Sequence, residues 1–512
     1  MSFRRCTVTF VDVSSLTGGD PPARESERMV DPVPHNEALR VNGDLVVVDN
    51  RLPVHRQDVT SPWETSPGGL VSALMPILRE HRGVWVGWAG SQEAASEPFS
   101  HDGLSNVPVP IAPEEVETYY EGFSNSSLWP LYHDACQTPR YHRHWWTPYV
   151  EVNRRFAEHA AERAAPHARV LVQDYHLQLV PGMLREMRPD LKIGFFLHIP
   201  FPPVELFAQL PWRQQLLEGL LGADVVGFQT RAGAQNFIRL VNRYTPHRGV
   251  GQAIMVGQRH VQAREFPISI DIQRFETLAQ DPAIIDRAQE IRAELGEHRT
   301  ILLGVDRLDY TKGIDIRLRA VDELLKGGRH SVNDLVLVQV CVPSRESVDE
   351  YVEVRSRVEK LVGQINGEHS EVAQVPVHYL RRNLPIEELV ANYLAADVML
   401  VTPLRDGMNL VAKEYIACRM HDSGVLVLSE FTGAARELDR AVLVNPHDLD
   451  GMTQAIHLAI SMPKTEQARR IRSMRQKIRR RTVFDWANDF LGAVDAASSF
   501  SMAAGGATRG SP

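Results

Sequence analysis

The chain has 512 residues, of which 43% are hydrophobic and 23% are charged, and its formal net charge is -8. This length predicts two large domains rather than one core. The acidic balance argues against a general nucleic-acid binder, which is usually basic, so an anionic substrate would need local cations.

The cysteines and the apolar segments bear on the compartment. Cys6, Cys136, Cys341 and Cys418 are scattered without disulfide or metal-site spacing, which favours buried thiols in a reducing compartment. No apolar stretch is long enough to cross a bilayer, and no signal-peptide core follows the N-terminal arginines. We therefore expect a cytoplasmic protein with neither a membrane nor a nucleic acid as partner.

Strand-like and helix-like runs alternate between two irregular ends. Residues 1–42 and 498–512 are predicted to be disordered. Predicted strands occur at 45–48, 84–88, 170–172, 193–197, 225–228 and 266–268, and again at 301–305, 335–340, 377–380, 398–401, 425–428 and 442–444. Predicted helices include 70–80, 149–164, 179–188 and 410–419. Two such series predict an α/β protein with two doubly wound, Rossmann-like domains facing a cleft, joined near 271–298.

Polar and aromatic groups follow several strands of the first series. Arg51 ends the first strand, and a glycine pair, Gly68 and Gly69, then opens a helix and could let the backbone approach a phosphate. Alone, such a pair is more often a turn. Aromatic residues cluster at 119–130, where packing is the simpler interpretation, although such rings also form walls against sugars.

Two neighbouring strands of the first series end in groups that could bind a ligand. Asp174 and His176 close one strand, and His198 closes the next. Open α/β sheets bind ligands at this edge. Each residue could equally be a satisfied structural hydrogen-bonding group, so both interpretations remain open.

The run at 305–313 is the most informative part of the sequence. Arg307 and Lys312 lie in one loop after a buried parallel strand, where two cations suit adjacent phosphates. A second loop, 402–409, follows another strand and precedes a predicted helix whose amides can bind an anion. Together these features predict a nucleotide-sugar diphosphate held between strand ends and a helix start.

Three further features carry alternatives. Arg345 is either a helix-capping cation or a phosphate ligand. Glu414, one turn into the predicted helix, either accepts hydrogen bonds from ribose hydroxyls or has an ordinary favourable place near the positive helix end. The histidines at 133, 142 and 144 give no convincing metal face, so we expect no metal and no cofactor.

These motifs resemble the trehalose-6-phosphate synthase family of retaining glycosyltransferases, glycosyltransferase family 20, and its actinobacterial branch in particular. The resemblance covers residues 43 to 495 and is carried by many long runs in the family's order. The matching runs are 50–53, 68–70, 119–130, 174–177, 194–203, 307–313, 402–415, 429–435 and 444–446.

The resemblance implies a GT-B fold and a division of labour between its domains. Residues 43–272 would bind the acceptor, glucose 6-phosphate, and residues 273–478 the donor, a nucleotide-glucose. A last helix within 479–497 would cross back to the first domain. The family's contact to the base is often Phe, whereas residues 382–385 read Arg-Asn-Leu-Pro here, so UDP-, GDP- and ADP-glucose remain alternatives.

The resemblance also implies roles for individual residues. The acceptor site would comprise Arg51, Tyr120, Trp129, Asp174 and Arg345. The donor site would comprise Gly68, Gly69, Arg307, Lys312, Leu384, Asp406, Asn409, Leu410, Val411 and Glu414. The catalytic set would be Asp174, His198, Arg307, Lys312 and Asp406.

The implied activity is transfer of glucose with retention to glucose 6-phosphate, giving α,α-trehalose 6-phosphate and a nucleoside diphosphate. A homodimer or homotetramer is expected. The alternatives are an inactive subunit that senses sugar phosphates and a sister transferase with another acceptor. The intact donor residues argue against the first, and the retained acceptor residues favour a phosphorylated hexose.

Overall fold

The computed structural model describes residues 42–56, 61–65, 69–80, 83–90, 97–345 and 348–506. The strands are β1 Gly43–Arg51, β2 Val54–His55, β3 Glu64–Thr65, β4 Val84–Trp88, β5 Phe99–His101, β6 Leu104–Pro108, β7 Ala164–Gln173, β8 Lys192–Leu197, β9 Val225–Phe228, β10 Arg248–Val250, β11 Ala253–Val256, β12 Arg259–Glu265, β13 Thr300–Arg307, β14 Leu335–Val342, β15 Val377–Leu380, β16 Val398–Val401, β17 Val425–Ser429 and β18 Val442–Val444.

The helices come between these strands. They are α1 Gly69–Glu80, α2 Pro113–Glu115, α3 Trp129–Tyr132, α4 Arg143–Arg163, α5 Val180–Met187, α6 Val204–Phe207, α7 Arg213–Leu220, α8 Arg231–Tyr244, α9 Ile272–Leu278, α10 Pro282–Leu295, α11 Ile314–Lys326, α12 Asp349–His369, α13 Ile386–Ala395, α14 Leu410–Cys418, α15 Leu449–Ile460, α16 Lys464–Arg480 and α17 Val483–Gly506. A π-helical segment spans Val116–Leu128, and 3₁₀ turns span Tyr175–Leu177, Tyr310–Lys312 and Gly433–Arg436.

Two largely parallel sheets form the cores of the two predicted domains. The first has the strand order β10-β11-β12-β9-β8-β7-β1-β4-β6-β5, with antiparallel pairs only towards its two edges. The second has the order β15-β14-β13-β16-β17-β18, and all its pairs are parallel. The order reverses at β1 in the first sheet and at β13 in the second. Ligands bind beside such reversals, outside the carboxyl ends of the strands.

The strand predictions hold in both series except at 266–268, where the prediction is wrong. Strand β12 ends at Glu265. Beyond it, the amide of Ile268 donates to the side chain of Gln229 at 3.1 Å, and its carbonyl oxygen accepts from the Lys413 ammonium at 2.9 Å. The amide of Phe266 still donates to the carbonyl oxygen of Phe228 at 2.8 Å, but side chains satisfy the backbone of Ile268, so the ladder ends within the run.

The last helix joins the second half of the chain to the first sheet. Helix α17 packs against β8, β9, β12 and α1. Its Trp486 lies edge-on to Phe196, with ring centroids 5.0 Å apart. The helix runs to Gly506, past the predicted end at 497, so part of the tail predicted to be disordered is helical. Residues 1–41 and 507–512 lie outside the described residues. No helix of the described part is long and apolar enough to span a membrane.

Candidate active site

The carboxyl ends of the two sheets face each other across a cleft, and the backbones meet closely on one side. A Cβ atom at Gly407 would overlap the carbonyl oxygen of His198, so only glycine fits this approach. Nearby, Arg405 of the second domain pairs with Asp134 of the first at 3.1 Å. The loop that follows β16 is therefore fixed against the edge of the first sheet.

A cavity of about 340 Å³ lies in this cleft and collects most of the predicted donor residues. It is lined by His198, Gln229, Ile268, Val305, Asp306, Arg307, Lys312, Asp406, Met408, Asn409, Leu410 and Val411. Glu414 and Leu384 do not line it. Gly69 opens α1, and Gly68 lies outside the described residues.

The cations of the cavity are held in two ways. The Lys312 ammonium donates to a carboxylate oxygen of Asp406 at 2.7 Å, and the amide of the Asn409 side chain donates to the same oxygen at 3.2 Å. Burial by itself raises the pKa of Asp406, but Lys312 outweighs it and the pKa is lowered, so the carboxylate stays ionised. Arg307 is exposed, with its guanidinium carbon 5.1 Å from the ring centroid of Trp129.

The start of α14 presents backbone donors to the same cavity. Asn409, at φ 75°, caps the helix by accepting from the amide of Ala412 at 3.1 Å. Among the described residues no partner is found for the amides of Leu410 and Val411, so both are available to an anion. Further along the helix, burial raises the pKa of Glu414 to about 7, although its carboxylate accepts from a buried tyrosine hydroxyl at 2.9 Å.

The predicted acceptor residues form a second cluster beside this cavity. The guanidinium carbon of Arg51 lies 3.9 Å from the ring centroid of Trp88, and that of Arg345 lies 4.0 Å from the ring centroid of Trp129. Burial raises the pKa of the Tyr120 phenol, but Arg345 and Arg51 together outweigh it, so the pKa is lowered. Two cations from different domains thus converge on one phenol.

Arg345 reaches this cluster because its loop is held in an unusual backbone conformation. Its φ is 49°, in the left-handed region, and its side chain is buried. One guanidinium nitrogen lies 3.5 Å from the carboxylate of Asp309 and also contacts the hydroxyl of Tyr351. The other donates to the hydroxyl of Tyr175 in the first domain at 2.9 Å. This arginine therefore connects the two domains.

Asp174 and His198 lie between the two clusters. Asp174, at φ 67°, accepts from the backbone amide of His198 at 3.1 Å. Burial raises its pKa to about 6, against the effect of backbone hydrogen bonds and of two arginines. The His198 ring bonds to the side chain of Gln173 at 2.9 Å, and burial lowers its pKa to about 3, so the ring is neutral at neutral pH.

Several residues of the site escaped the sequence analysis. Trp88 ends a predicted strand, so its place at the sheet edge could have singled it out. Asp309 lies inside the informative run at 305–313. His176 is predicted at a strand end that could bind a ligand, but it is not among the predicted acceptor or catalytic residues. Nothing in the sequence marks Tyr351, which comes from α12, because only packing brings its hydroxyl within 3.1 Å of the Asp309 carboxylate.

The comparisons with known proteins agree with this geometry. The model of glycosyltransferase family 20 matches residues 43–496. The trehalose-6-phosphate synthase of Mycolicibacterium smegmatis is 55% identical over 473 residues, covering 90% of this chain and 94% of that protein.

Two solved structures are also similar. An α,α-trehalose-phosphate synthase (UDP-forming) from Burkholderia xenovorans in complex with glucose-6-phosphate is 32% identical, with a TM-score of 0.81, and covers 88% of this chain and 99% of that one. A structure described as trehalose-6-phosphate from E. coli bound with UDP-2-fluoro glucose is 31% identical, with a TM-score of 0.81, and covers 88% of this chain and 98% of that one. The chain belongs to glycosyltransferase family 20.

Proposed function

We propose that this glycosyltransferase transfers glucose, with retention, from a nucleotide-glucose to glucose 6-phosphate and releases α,α-trehalose 6-phosphate and a nucleoside diphosphate. One observation carries the proposal: the interdomain cavity is lined by Arg307, Lys312 and the start of α14, and a second cluster with Arg51 and Arg345 lies beside it, where Arg307 and Arg345 approach the same Trp129 ring. The first group suits a diphosphate and the second a phosphorylated sugar. The names and ligands of the similar proteins support the same activity.

The donor side acts on the leaving group. When the glycosidic bond breaks, negative charge develops on the phosphate oxygens of the nucleotide. Arg307, Lys312 and the amide of Leu410 are in place before the reaction and stabilise that charge. Asp406 fixes the Lys312 ammonium at 2.7 Å, so little reorganisation is needed during the reaction.

The transfer takes place on the same face of the sugar ring that the leaving group leaves. The acceptor oxygen bonds to the anomeric carbon from that face as the bond to the phosphate oxygen breaks, so the configuration is retained, and the hydroxyl proton passes to the departing phosphate. Asp174 and His198 orient the two sugars, since they lie between the clusters. Closure of the cleft excludes water, which would otherwise hydrolyse the donor.

The acceptor's phosphate is bound by Arg51 and Arg345, from opposite domains. Tyr120 and Trp129 complete this site. Residues 43–272 thus bind the acceptor, and residues 273–478 bind the donor. In the donor site, the Glu414 carboxylate accepts hydrogen bonds from the ribose hydroxyls, and Leu384 lies beside the base. An inactive sensing subunit is disfavoured because the Lys312–Asp406 pair is intact.

The reaction proceeds without a metal ion. Cations and backbone amides stabilise the negative charge of the phosphate oxygens, as a metal ion does in other phosphate sites. Among the described residues, one group, Asp322, Glu368 and His369, has ligand atoms within 4.8 Å of one another. The Lys326 ammonium lies 2.7 Å from Asp322 and 3.3 Å from Glu368, so a cation already occupies that position.

We also propose that the protein is a homo-oligomer in the cytoplasm.

One assay tests the activity and the metal together. The purified protein is incubated with glucose 6-phosphate and UDP-, GDP- or ADP-glucose, with and without EDTA, and the product is identified by NMR. We expect α,α-trehalose 6-phosphate with at least one donor, at the same rate in EDTA. No product with any donor would contradict the activity, and loss in EDTA with recovery in magnesium would contradict the metal-free mechanism.

A further inference from the structure

His176 lies in the acceptor cluster, in the 3₁₀ turn after β7, and its ring is fixed between aromatic neighbours. It is 9% exposed. The Tyr120 ring stacks on it at 5.7 Å and 12°, and the Tyr175 ring lies 3.9 Å away at 34°. The carbonyl oxygen of His176 accepts from the side chain of Asn153 at 3.0 Å. Ring and backbone are therefore both held in place.

The Nδ1 atom of this ring is buried and has no hydrogen-bond partner among the described residues. Buried polar atoms are nearly always paired, so an orphan of this kind needs an explanation. His133 and His159 show the usual arrangement, since each Nδ1 lies 2.8 Å from a backbone carbonyl oxygen. His176 departs from this pattern at the place where two arginines from different domains converge.

The surroundings of His176 are strongly cationic. Burial first, and then Arg345, Arg51 and Arg307, hold its pKa well below the usual range, so the ring is neutral while the site is empty. The other titratable groups beside it are the phenols of Tyr120 and Tyr175 and the carboxylate of Asp174. A phosphate dianion placed among these guanidiniums would offset most of their charge and so raise the pKa of the ring from its value in the empty site.

We propose that His176 is a positioning residue for the acceptor's phosphate, and that its orphaned Nδ1 gains a partner only when that phosphate lies between Arg51 and Arg345. This inference rests on the proposed function, because it takes glucose 6-phosphate as the acceptor. The ring nitrogen donates to a phosphate oxygen. The dianion favours the imidazolium, so binding draws one proton from the solvent onto the ring, and no covalent bond to the ligand forms or breaks.

Two substitutions separate this role from simple packing. H176N keeps a donor near the position of Nδ1 but loses the ring, whereas H176F keeps the stacking ring but loses both nitrogens. We expect H176F to raise the KM for glucose 6-phosphate about tenfold, as for a lost charge-assisted hydrogen bond, and to leave the KM for the donor unchanged. H176N should raise the KM for glucose 6-phosphate less than H176F does, because it keeps a donor near Nδ1 but loses the charge. The reverse order, with H176F active and H176N impaired, would show a packing role and overturn the inference.

Calorimetry tests the proton. Glucose 6-phosphate is titrated at pH 7 in buffers of different ionisation enthalpy, which gives the number of protons taken up on binding. The unaltered protein should take up more protons than H176N, which cannot titrate at this position. This comparison does not depend on H176F folding. Equal uptake would overturn the inference alone, whereas no binding by the unaltered protein would overturn the proposed function and the inference with it.

Discussion

Lys312 on the proposed donor side of the cleft and the two arginines on the proposed acceptor side are held in different ways. On the donor side, Lys312 is paired directly with the carboxylate of Asp406, whose pKa is lowered. On the acceptor side, Arg51 and Arg345 lie against aromatic faces. Burial raises the pKa of two carboxylates there, to about 6 for Asp174 and about 7 for Asp49, whereas at Asp309 burial is outweighed by Arg345 and the other nearby cations, which lower the pKa to about 2.

The difference suits the role that we propose for each side. A cation that meets charge developing during the reaction must already be in position, and a carboxylate fixes it. A cation that binds an incoming dianion must not be neutralised beforehand, and an aromatic face holds a guanidinium without cancelling its charge. Arg345 combines both arrangements, since it lies against the Trp129 ring and also 3.5 Å from the carboxylate of Asp309.

The largest expected effect comes from breaking the donor side. Lys312→Ala and Arg307→Ala should each lower kcat by about 100-fold or more, because each removes charge stabilisation in the transition state. Thermal unfolding should change little for Arg307→Ala, which is exposed. Steady-state kinetics with both substrates saturating measures the effect. Near-normal kcat in both variants would show that these cations do not act on the leaving group.

Lys413 is a second buried lysine, and we expect its replacement to reduce stability rather than activity. The Lys413 ammonium is fully buried and bonds to Glu437 at 2.6 Å and to the Ile268 carbonyl oxygen at 2.9 Å, outside the cavity. Lys413→Met should lower the free energy of unfolding by about 1–3 kcal/mol, because two acceptors lose their donor. Urea unfolding measures this, with Glu437→Gln as the control that keeps a hydrogen-bonding side chain. A drop in kcat without loss of stability would give Lys413 a role in the reaction instead.

On the acceptor side, the geometry of the cation should matter more than its charge. Arg345→Lys keeps the charge but loses the planar, forked donor set, so it should raise the KM for glucose 6-phosphate about tenfold and that for the donor much less. Small-angle scattering should show less compaction when the acceptor is added. Equal changes in both KM values with unchanged compaction would place Arg345 outside the acceptor site.

The last prediction concerns the pH dependence of stability and one acceptor-side carboxylate. Burial and the nearby Asp174 raise the pKa of Asp49 to about 7. The folded state therefore holds a proton that the unfolded chain has lost, and the stability from this group, present below about pH 4, disappears as the pH rises towards 7. Asp49→Asn should remove this loss. The free energy of unfolding of the variant, relative to that of the unaltered protein, should therefore rise by up to about 1.4 kcal/mol per pH unit. Urea unfolding at pH 5 and pH 8 measures it, and a pH-independent difference would contradict it.

The sequence by itself determined the fold class and the donor loops. Buried parallel strands read as continuous apolar runs, and the groups that follow them must lie at one edge of a sheet, so the neighbourhood of Arg307 and Lys312 could be predicted. The same rule failed at 266–268, because the side chains of Gln229 and Lys413 bind the backbone of Ile268 in place of a neighbouring strand.

Only the tertiary structure decided how these groups are paired. The sequence places Lys312 and Asp406 in separate loops, and Arg345 and Tyr175 in separate domains, and nothing local shows that they meet. It also cannot show which polar atoms remain unpaired. The Nδ1 of His176 has no hydrogen-bond partner among the described residues, because packing surrounds it with rings and cations and supplies no acceptor. Ion pairs and hydrogen bonds of this kind depend on spatial distances between segments that are far apart in the sequence. Local sequence patterns do not encode those distances.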